Sequence, residues 1–281
     1  MGAGADLRRI GCLFFFYPYK IRKGRTAQKG GLVSKISSNS SEREKVDTPL
    51  YQRIKNMLIQ EIGQLEEGEN RLPPEEQLAK RYGTSRATIR ESLADLIRHG
   101  YITSWQGRGN FGHPHALDLN MRFDITTTFH ELLVSAGYQV EIEQSIISLD
   151  DPSVEVLEHY PEWEGEDVFS FDWNYCAQGT PLIACKVQVL KKRMRYVLSR
   201  KKDEIKLTDY LRRFYNGDIT YATTWFKATR NAEVSAMFQV PEDTPLLSWE
   251  ESFYDLYDRQ ICFNQVFFHP RKIKPSMLLR T

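Results

Sequence analysis

Residues 73–111 read PPEEQLAKRYGTSRATIRESLADLIRHGYITSWQGRGNF, and this stretch decides the fold of the first half of the chain. Pro73-Pro74 followed by Glu75 and Glu76 starts a helix. Proline suits a first turn, where its missing N–H is not needed, and acids suit the positive helix end. Leu78, Ala79 and Tyr82 give that helix an apolar side, and Gly83 ends it. Thr84-Ser85 opens a second helix with Ser85 as its N-cap. Ile89, Leu93, Leu96 and Ile97 then recur at helical spacing until Gly100. Two helices across a tight glycine-containing turn make a helix-turn-helix. Tyr101-Ile102-Thr103 and Asn110-Phe111 follow as short strands around the turn Gly107-Arg108-Gly109, which forms a wing with a cation at its tip.

Arg86 and Arg90 lie one turn apart near the start of the second helix, with Thr88 between them. A helix N-terminus in the major groove offers backbone amides to phosphate and side chains to base edges. Arginine bonds guanine or phosphate bidentately, and threonine contacts base edges or the thymine methyl. The candidate DNA-binding set is therefore Thr84, Ser85, Arg86, Thr88 and Arg90 on the helix, with Gly107, Arg108 and Gly109 in the wing. An arginine pair alone reads equally well as a solvated face, and winged helices also bind proteins. The Arg pair, the Ser cap and the Gly-Arg-Gly turn occurring together favour double-stranded DNA.

These motifs closely resemble the DNA-binding domain of the GntR family of bacterial transcription regulators. The resemblance begins at Thr48-Pro49-Leu50-Tyr51 with Ile54, Leu58 and Ile62, as the first helix. It runs through LPPEEQLA and TSRATIRESLADL to the wing QGRGNF. It implies a winged helix-turn-helix over residues 47–111. Many relatives carry Arg where this chain has Glu76, and that Arg helps read the operator. The departure puts the usual family operator in question, though not DNA binding.

Composition agrees with a soluble two-domain regulator. The chain has 281 residues, 41% hydrophobic and 27% charged, with net charge +1. That near-neutral total hides a gradient. Residues 1–46 carry ten Lys/Arg against three acids, residues 47–115 nine of each, and residues 116–281 nineteen against 25. From Lys80 to Arg108 there are six basic residues and two acids, so basic surface concentrates at the proposed recognition helix and wing. The acidic remainder argues against a chain that coats nucleic acid along its length. The four cysteines, Cys12, Cys176, Cys185 and Cys262, show no Cys-x-x-Cys or Cys/His ligand spacing and read as free thiols of a cytoplasmic protein. Cys176 and Cys185 are placed to face each other across a hairpin, but nothing requires a bond. No stretch approaches the roughly 20 apolar residues of a membrane span. No cofactor or metal is expected.

Residues 1–46 read as a flexible basic tail, or as the product of a start codon set too far upstream. Arg8-Arg9 before the apolar run Ile10 to Phe16 has the outline of an export signal, but the run is short and is interrupted by Pro18 and Lys20. An accessory DNA contact by the tail is the alternative. Residues 112–124 read as a linker, with His113 and His115 as plain linker residues around Pro114 rather than a metal pair.

Residues 125–281 give an α+β pattern with a mostly antiparallel sheet. The expected elements are a helix at Phe129 to Ala136, one strand from Tyr138 to Leu149, and a short helix near Val154. A hairpin follows, Val168 to Ala177 and Leu182 to Leu190 across Gln178-Gly179-Thr180-Pro181. Next come a helix at Leu207 to Tyr215, a strand at Ile219 to Thr229 and a helix at Ala232 to Phe238. A last hairpin joins Leu246 to Leu256 with Gln260 to Phe268. TTTFHELLVSAGYQV, YCAQGTPLIA and VPEDTPLLSWEESFYD resemble the effector domain of the HutC subfamily of GntR regulators, called UTRA, which has a chorismate-lyase-like fold.

That resemblance implies a homodimer on a palindromic operator and a small-molecule effector in a pocket beside the sheet. Ligands of sugar-phosphate members meet the start of the first helix of this domain, here Thr126, Thr127 and Thr128. Helix N-termini attract anions, although the three threonines serve equally well as simple caps. Where such members place Arg on the first hairpin strand, this chain has Trp173 and Tyr175. Asn264 aligns on the final strand, and the usual Tyr-Arg-Gly-Asp is replaced by Phe268-His269-Pro270-Arg271. These departures argue for a more aromatic pocket and an uncharged or differently charged ligand. The effector candidates are thus Thr126, Thr127, Thr128, Trp173, Tyr175 and Asn264. An enzyme of chorismate-lyase-like fold is the alternative, but fold alone confers no activity. No nucleophile elbow, phosphate loop or zinc motif is present, and Glu141, Glu143, Glu250 and Glu251 read as ordinary strand-face carboxylates.

Overall fold

A computed structural model describes residues 49–125, 128–199, 206–215 and 217–280. The expectations for residues 1–46, and for Thr126 and Thr127, lie outside the described residues.

Three helices open the described chain: α1 (Leu50–Ile62), α2 (Glu75–Tyr82) and α3 (Arg86–Arg98). Each has one apolar stripe, and the stripes meet. Ile54, Leu58 and Ile62 pack on Leu78, Ile89, Leu93 and Leu96 in one buried cluster closed by Leu72 and Ile102. Ser92 is the polar exception, and it is satisfied by donating from Oγ to the Tyr51 carbonyl at 2.8 Å. Gly83 ends α2 at φ +59°, a left-handed cap that suits glycine. The turn is tied by Thr84 N–H to the Ala79 carbonyl at 3.0 Å.

The wing is a hairpin of β1 (Ile102–Trp105) and β2 (Gly109–Gly112). Residues 70–72 lie along β2 through Leu72 N–H to the Asn110 carbonyl and Gly112 N–H to the Asn70 carbonyl, both 2.8 Å. Gly112 sits so close to α1 that a Cβ would lie 2.9 Å from Leu65 and 3.0 Å from Ile62.

The region expected as a plain linker holds a one-turn helix, α4 (Pro114–Leu117), whose Ala116 is buried. Proline at its first position starts the turn. His113 is held by the wing, its Nε2 2.8 Å from Thr103 Oγ1. Beyond α4 the chain is pinned by Arg122. This buried guanidinium forks onto Asp124 at 3.0 and 2.5 Å and donates to the His99 carbonyl at 2.8 Å.

The remaining strands are β3 (Glu141–Gln144), β4 (Ser148–Asp150), β5 (Val168–Ala177), β6 (Thr180–Leu190), β7 (Ile219–Thr229), β8 (Leu246–Asp255) and β9 (Gln260–Phe268). They form one antiparallel sheet in the order β3-β5-β6-β9-β8-β7, with β4 also on β5. The single strand expected from Tyr138 to Leu149 is two. Between the two, the Ser145 hydroxyl accepts Asp172 N–H at 2.7 Å, and each piece pairs with its own half of β5.

Period-two alternation splits the sheet into two faces. One carries α5 (Phe129–Ser135) and α7 (Leu207–Arg212) over a large aromatic-rich core. The other carries α6 (Val154–His159) and α8 (Ala232–Met237) over two smaller clusters. Cys176 and Cys185 do not oppose each other. A bulge after Tyr175 pairs Cys176 with Pro181, and both thiols are free and buried. No helix among the described residues is long and apolar enough to cross a membrane.

Candidate functional site

Two sites emerge, one in each half of the described chain. On the helix-turn-helix, Ser85 caps α3: its Oγ accepts Thr88 N–H at 3.1 Å and lies 2.9 Å from Thr88 Oγ1. The cap fixes the entry angle of α3 and leaves Arg86 and Arg90 exposed on successive turns. Arg90 is held upright by Glu75 of α2 at 3.1 Å. In the wing, Gly107 and Gly109 take φ +76° and +108°, and Arg108 N–H closes the turn on the Trp105 carbonyl at 3.0 Å.

Two residues that the sequence reading passed over join this face. Trp105 is 57% exposed, and its ring carries the Arg108 guanidinium at 4.8 Å, which holds the cation against the wing. Arg71 is exposed, and its backbone bridges Phe111. Its Nε lies 3.3 Å from where a Gly109 Cβ would stand, so the missing side chain is what lets the guanidinium lie along the wing. Nothing in the local sequence signals this, because Arg71 reaches the wing only through strand pairing. Glu76 is exposed beside Lys80 at 3.3 Å.

The second site is a cavity of about 150 Å³ between the sheet and the starts of α5 and α7. Among the described residues its lining includes Phe123; Thr128, Phe129 and Leu132 at α5; Lys206, Leu207 and Thr208 at α7; and Tyr175, Cys185, Trp249, Glu251, Phe253 and Asn264 on the sheet. The walls are aromatic: Phe129 meets Tyr175 edge-on at 5.6 Å and Trp249 at 5.0 Å, and Phe123 lies 4.7 Å from Trp249. Trp249, Glu251 and Phe253 share one face of β8 by alternation.

The floor is polar. Glu251 pairs across the ladder with Asn264 of β9, whose Nδ2 donates to it at 3.3 Å. Burial pushes the Glu251 carboxyl up to about 7, against the smaller opposing effect of that hydrogen bond. Burial likewise raises the Cys185 and Cys262 thiols well above their usual range, with Glu251 adding to it, so both stay protonated at neutral pH. At the mouth, Thr128 Oγ1 caps α5 by accepting Glu131 N–H at 3.2 Å, and Lys206 pairs with Glu131 at 2.9 Å.

Of the effector residues expected from sequence, Thr128, Tyr175 and Asn264 come together at this cavity. Trp173 does not reach it. Its side chain has no exposed surface and packs 5.1 Å from Tyr210 beneath α7, so it is core. Reading Glu250 and Glu251 as ordinary strand-face carboxylates also needs correction. Glu250 is 4% exposed on the opposite face and holds His159 and Lys227, each at 2.6 Å. Glu251 is the cavity floor. The missed signal was the pattern Trp-x-Glu-x-Phe at positions 249, 251 and 253, a carboxylate on the same strand face as two aromatics. Among the described residues no group of three or more His, Cys, Asp or Glu is placed to hold a metal ion.

Comparison with known proteins agrees with this architecture. Residues 48–111 match "Bacterial regulatory proteins, gntR family", and residues 135–274 match the UTRA domain. An uncharacterized HTH-type transcriptional regulator, YurK of Bacillus subtilis, is 29% identical over 119 residues, 41% of this chain and 48% of that one. The histidine utilization repressor of Pseudomonas aeruginosa is 33% identical over 87 residues, 27% of this chain and 34% of that one. The chain thus spans about half or less of the length of these curated relatives. The crystal structure of a possible transcriptional regulator, YydK of Bacillus subtilis, shares the fold. Its TM-score is 0.58 at 17% identity, over 83% of this chain and all of that one. With a gntR-type helix-turn-helix followed by a UTRA domain, the chain belongs to the GntR family of bacterial regulatory proteins, in its HutC-like, UTRA-bearing branch.

Proposed function

We propose that this protein is a ligand-responsive transcription regulator of the bacterial cytoplasm, a repressor that binds a palindromic operator as a homodimer. The observation that carries this reading is the exposed cationic face of Arg86, Arg90 and Arg108, set on a capped recognition helix and its wing. A rigid α3 positioned by the Ser85 cap presents its N-terminal residues to the major groove, while the wing tracks the phosphate backbone.

The cavity supplies the input. Its lining includes the start of α5, and the chain leading into α5 holds Arg122, which bonds the end of α3 through the His99 carbonyl. A ligand that favours one arrangement of this segment biases the recognition helix by its differential affinity. Dimerisation has a candidate surface in β7. Among the described residues this strand pairs only with β8, leaving an 11-residue edge that exposes Tyr221, Trp225 and Phe226. The enzyme reading finds little support at the cavity: Glu251 has Asn264 rather than a second acid or base as its partner, and the adjacent thiols are protonated.

The test is fluorescence anisotropy with the protein's own upstream DNA at two salt concentrations, for wild type and the Arg86→Ala/Arg90→Ala pair. Sequence-selective, salt-sensitive binding that weakens in the pair by about 1–3 kcal/mol per lost base contact supports the reading. If the arginines meet phosphates instead, the salt slope falls by about 2. Equal binding to any duplex, or unchanged binding by the pair, rejects it.

A further inference from the structure

We propose that the effector of this cavity is a small organic cation carrying N–H donors, a protonated amine or amidine, anchored by Glu251, which Asn264 orients, and walled by aromatic rings. This rests on the reading of the cavity as the effector site, and it names the ligand class.

Four features point the same way. First, the Glu251 carboxylate faces the cavity with a hydrogen bond from Asn264 and, among the described residues, no ion pair. Lys206 is the cation of the described lining, and it is engaged at the mouth by Glu131. A part-buried carboxylate without a counter-charge is costly, and a cationic occupant lowers that cost.

Second, Asn264 is 1% exposed and spends its Nδ2 on Glu251, leaving its Oδ1 buried without a partner. Its amide donor orients the Glu251 carboxylate, whose remaining acceptor capacity suits a group with N–H donors rather than a quaternary ammonium. Third, the walls are the rings of Phe129, Tyr175 and Trp249, with Phe123 and Phe253 beside them. Aromatic faces attract cations, and more strongly when water is excluded. An anion would meet both the rings and Glu251 unfavourably. Fourth, about 150 Å³ suits a compact molecule of roughly ring size.

The experiment is isothermal titration calorimetry of the full chain at pH 8 with three probes of one shape and different charge: cyclohexylamine, cyclohexanol and cyclohexanecarboxylate. The expected result is that the amine binds at least about ten-fold more tightly than either of the others. Glu251→Gln, close to isosteric, should remove about that ten-fold and leave the alcohol unaffected. Equal or tighter binding of the alcohol or the carboxylate overturns the cation assignment while leaving the cavity a ligand site. Unchanged amine affinity in Glu251→Gln overturns the anchor. No binding by any probe overturns the cavity as a ligand site and this proposal with it. If the variant does not fold, the wild-type charge series decides alone.

Discussion

Replacing Arg122 by alanine should strip the fold of a buried cation with three hydrogen bonds. The guanidinium is 3% exposed and makes three charged hydrogen bonds: two to Asp124 at 3.0 and 2.5 Å, and one to the His99 carbonyl at 2.8 Å. It also lies 5.1 Å above the Tyr101 ring. Hydrogen bonding to Arg122 is the leading cause holding the Asp124 carboxyl below its usual range. Removing one partner of a buried pair costs about 3–5 kcal/mol, because the other charge is left behind. Asp124 keeps about a fifth of its side chain in water and recovers some hydration, so about 2–4 kcal/mol is expected for Arg122→Ala. Arg122→Lys keeps the charge but loses the two-pronged fork and should cost about half as much. Urea unfolding followed by tryptophan fluorescence measures both. The loss should be nearly insensitive to salt, since the pair is sheltered. An alanine variant within about 0.5 kcal/mol of wild type, or a loss that vanishes at high salt, would refute the assignment of Arg122 as a buried strut.

Two further outcomes follow from the same reasoning. Because Glu251 is raised from 4.5 to about 7 in the folded chain, its contribution to stability is full below about pH 4.5 and is lost as pH rises through about 7. Wild type should therefore lose about 2–3 kcal/mol between pH 5 and 8 relative to Glu251→Gln, measured by urea unfolding of each at both pH values. The groups facing it do not mimic this, since Tyr175, Cys185 and Cys262 are all raised away from this range; matching pH trends in the two proteins would count against a buried carboxyl. Arg71→Ala, on the face that pairs with the wing, should weaken DNA binding across all sequences alike and lower the salt slope by about 1. A selective loss at one base pair would instead place Arg71 at a base edge.

By itself the sequence determined what is local. The cap at Ser85, the left-handed Gly83, the apolar stripes of α1 to α3 and the Gly-Arg-Gly turn are each set by neighbours within a few residues, so they could be read in order. The strands at Ile219–Thr229 and Gln260–Phe268 were equally legible, because alternation and turn residues bound them. Tertiary structure decided which side chains meet. Trp173 and Tyr175 share a strand face, yet α7 covers the first and leaves the second at the cavity. Glu250 and Glu251 are neighbours in sequence, and the pleat sends one to His159 and Lys227 and the other beneath α5 and α7. At the break in the expected strand the Ser145 hydroxyl accepts Asp172 N–H of β5, a partner distant in sequence. Arg122 and Arg71 gained their roles from partners brought to them by packing and strand pairing. Periodicity fixes which face a residue occupies; what covers that face depends on how distant helices settle on the sheet, and that is set by the packing of the whole core rather than by any local run of residues.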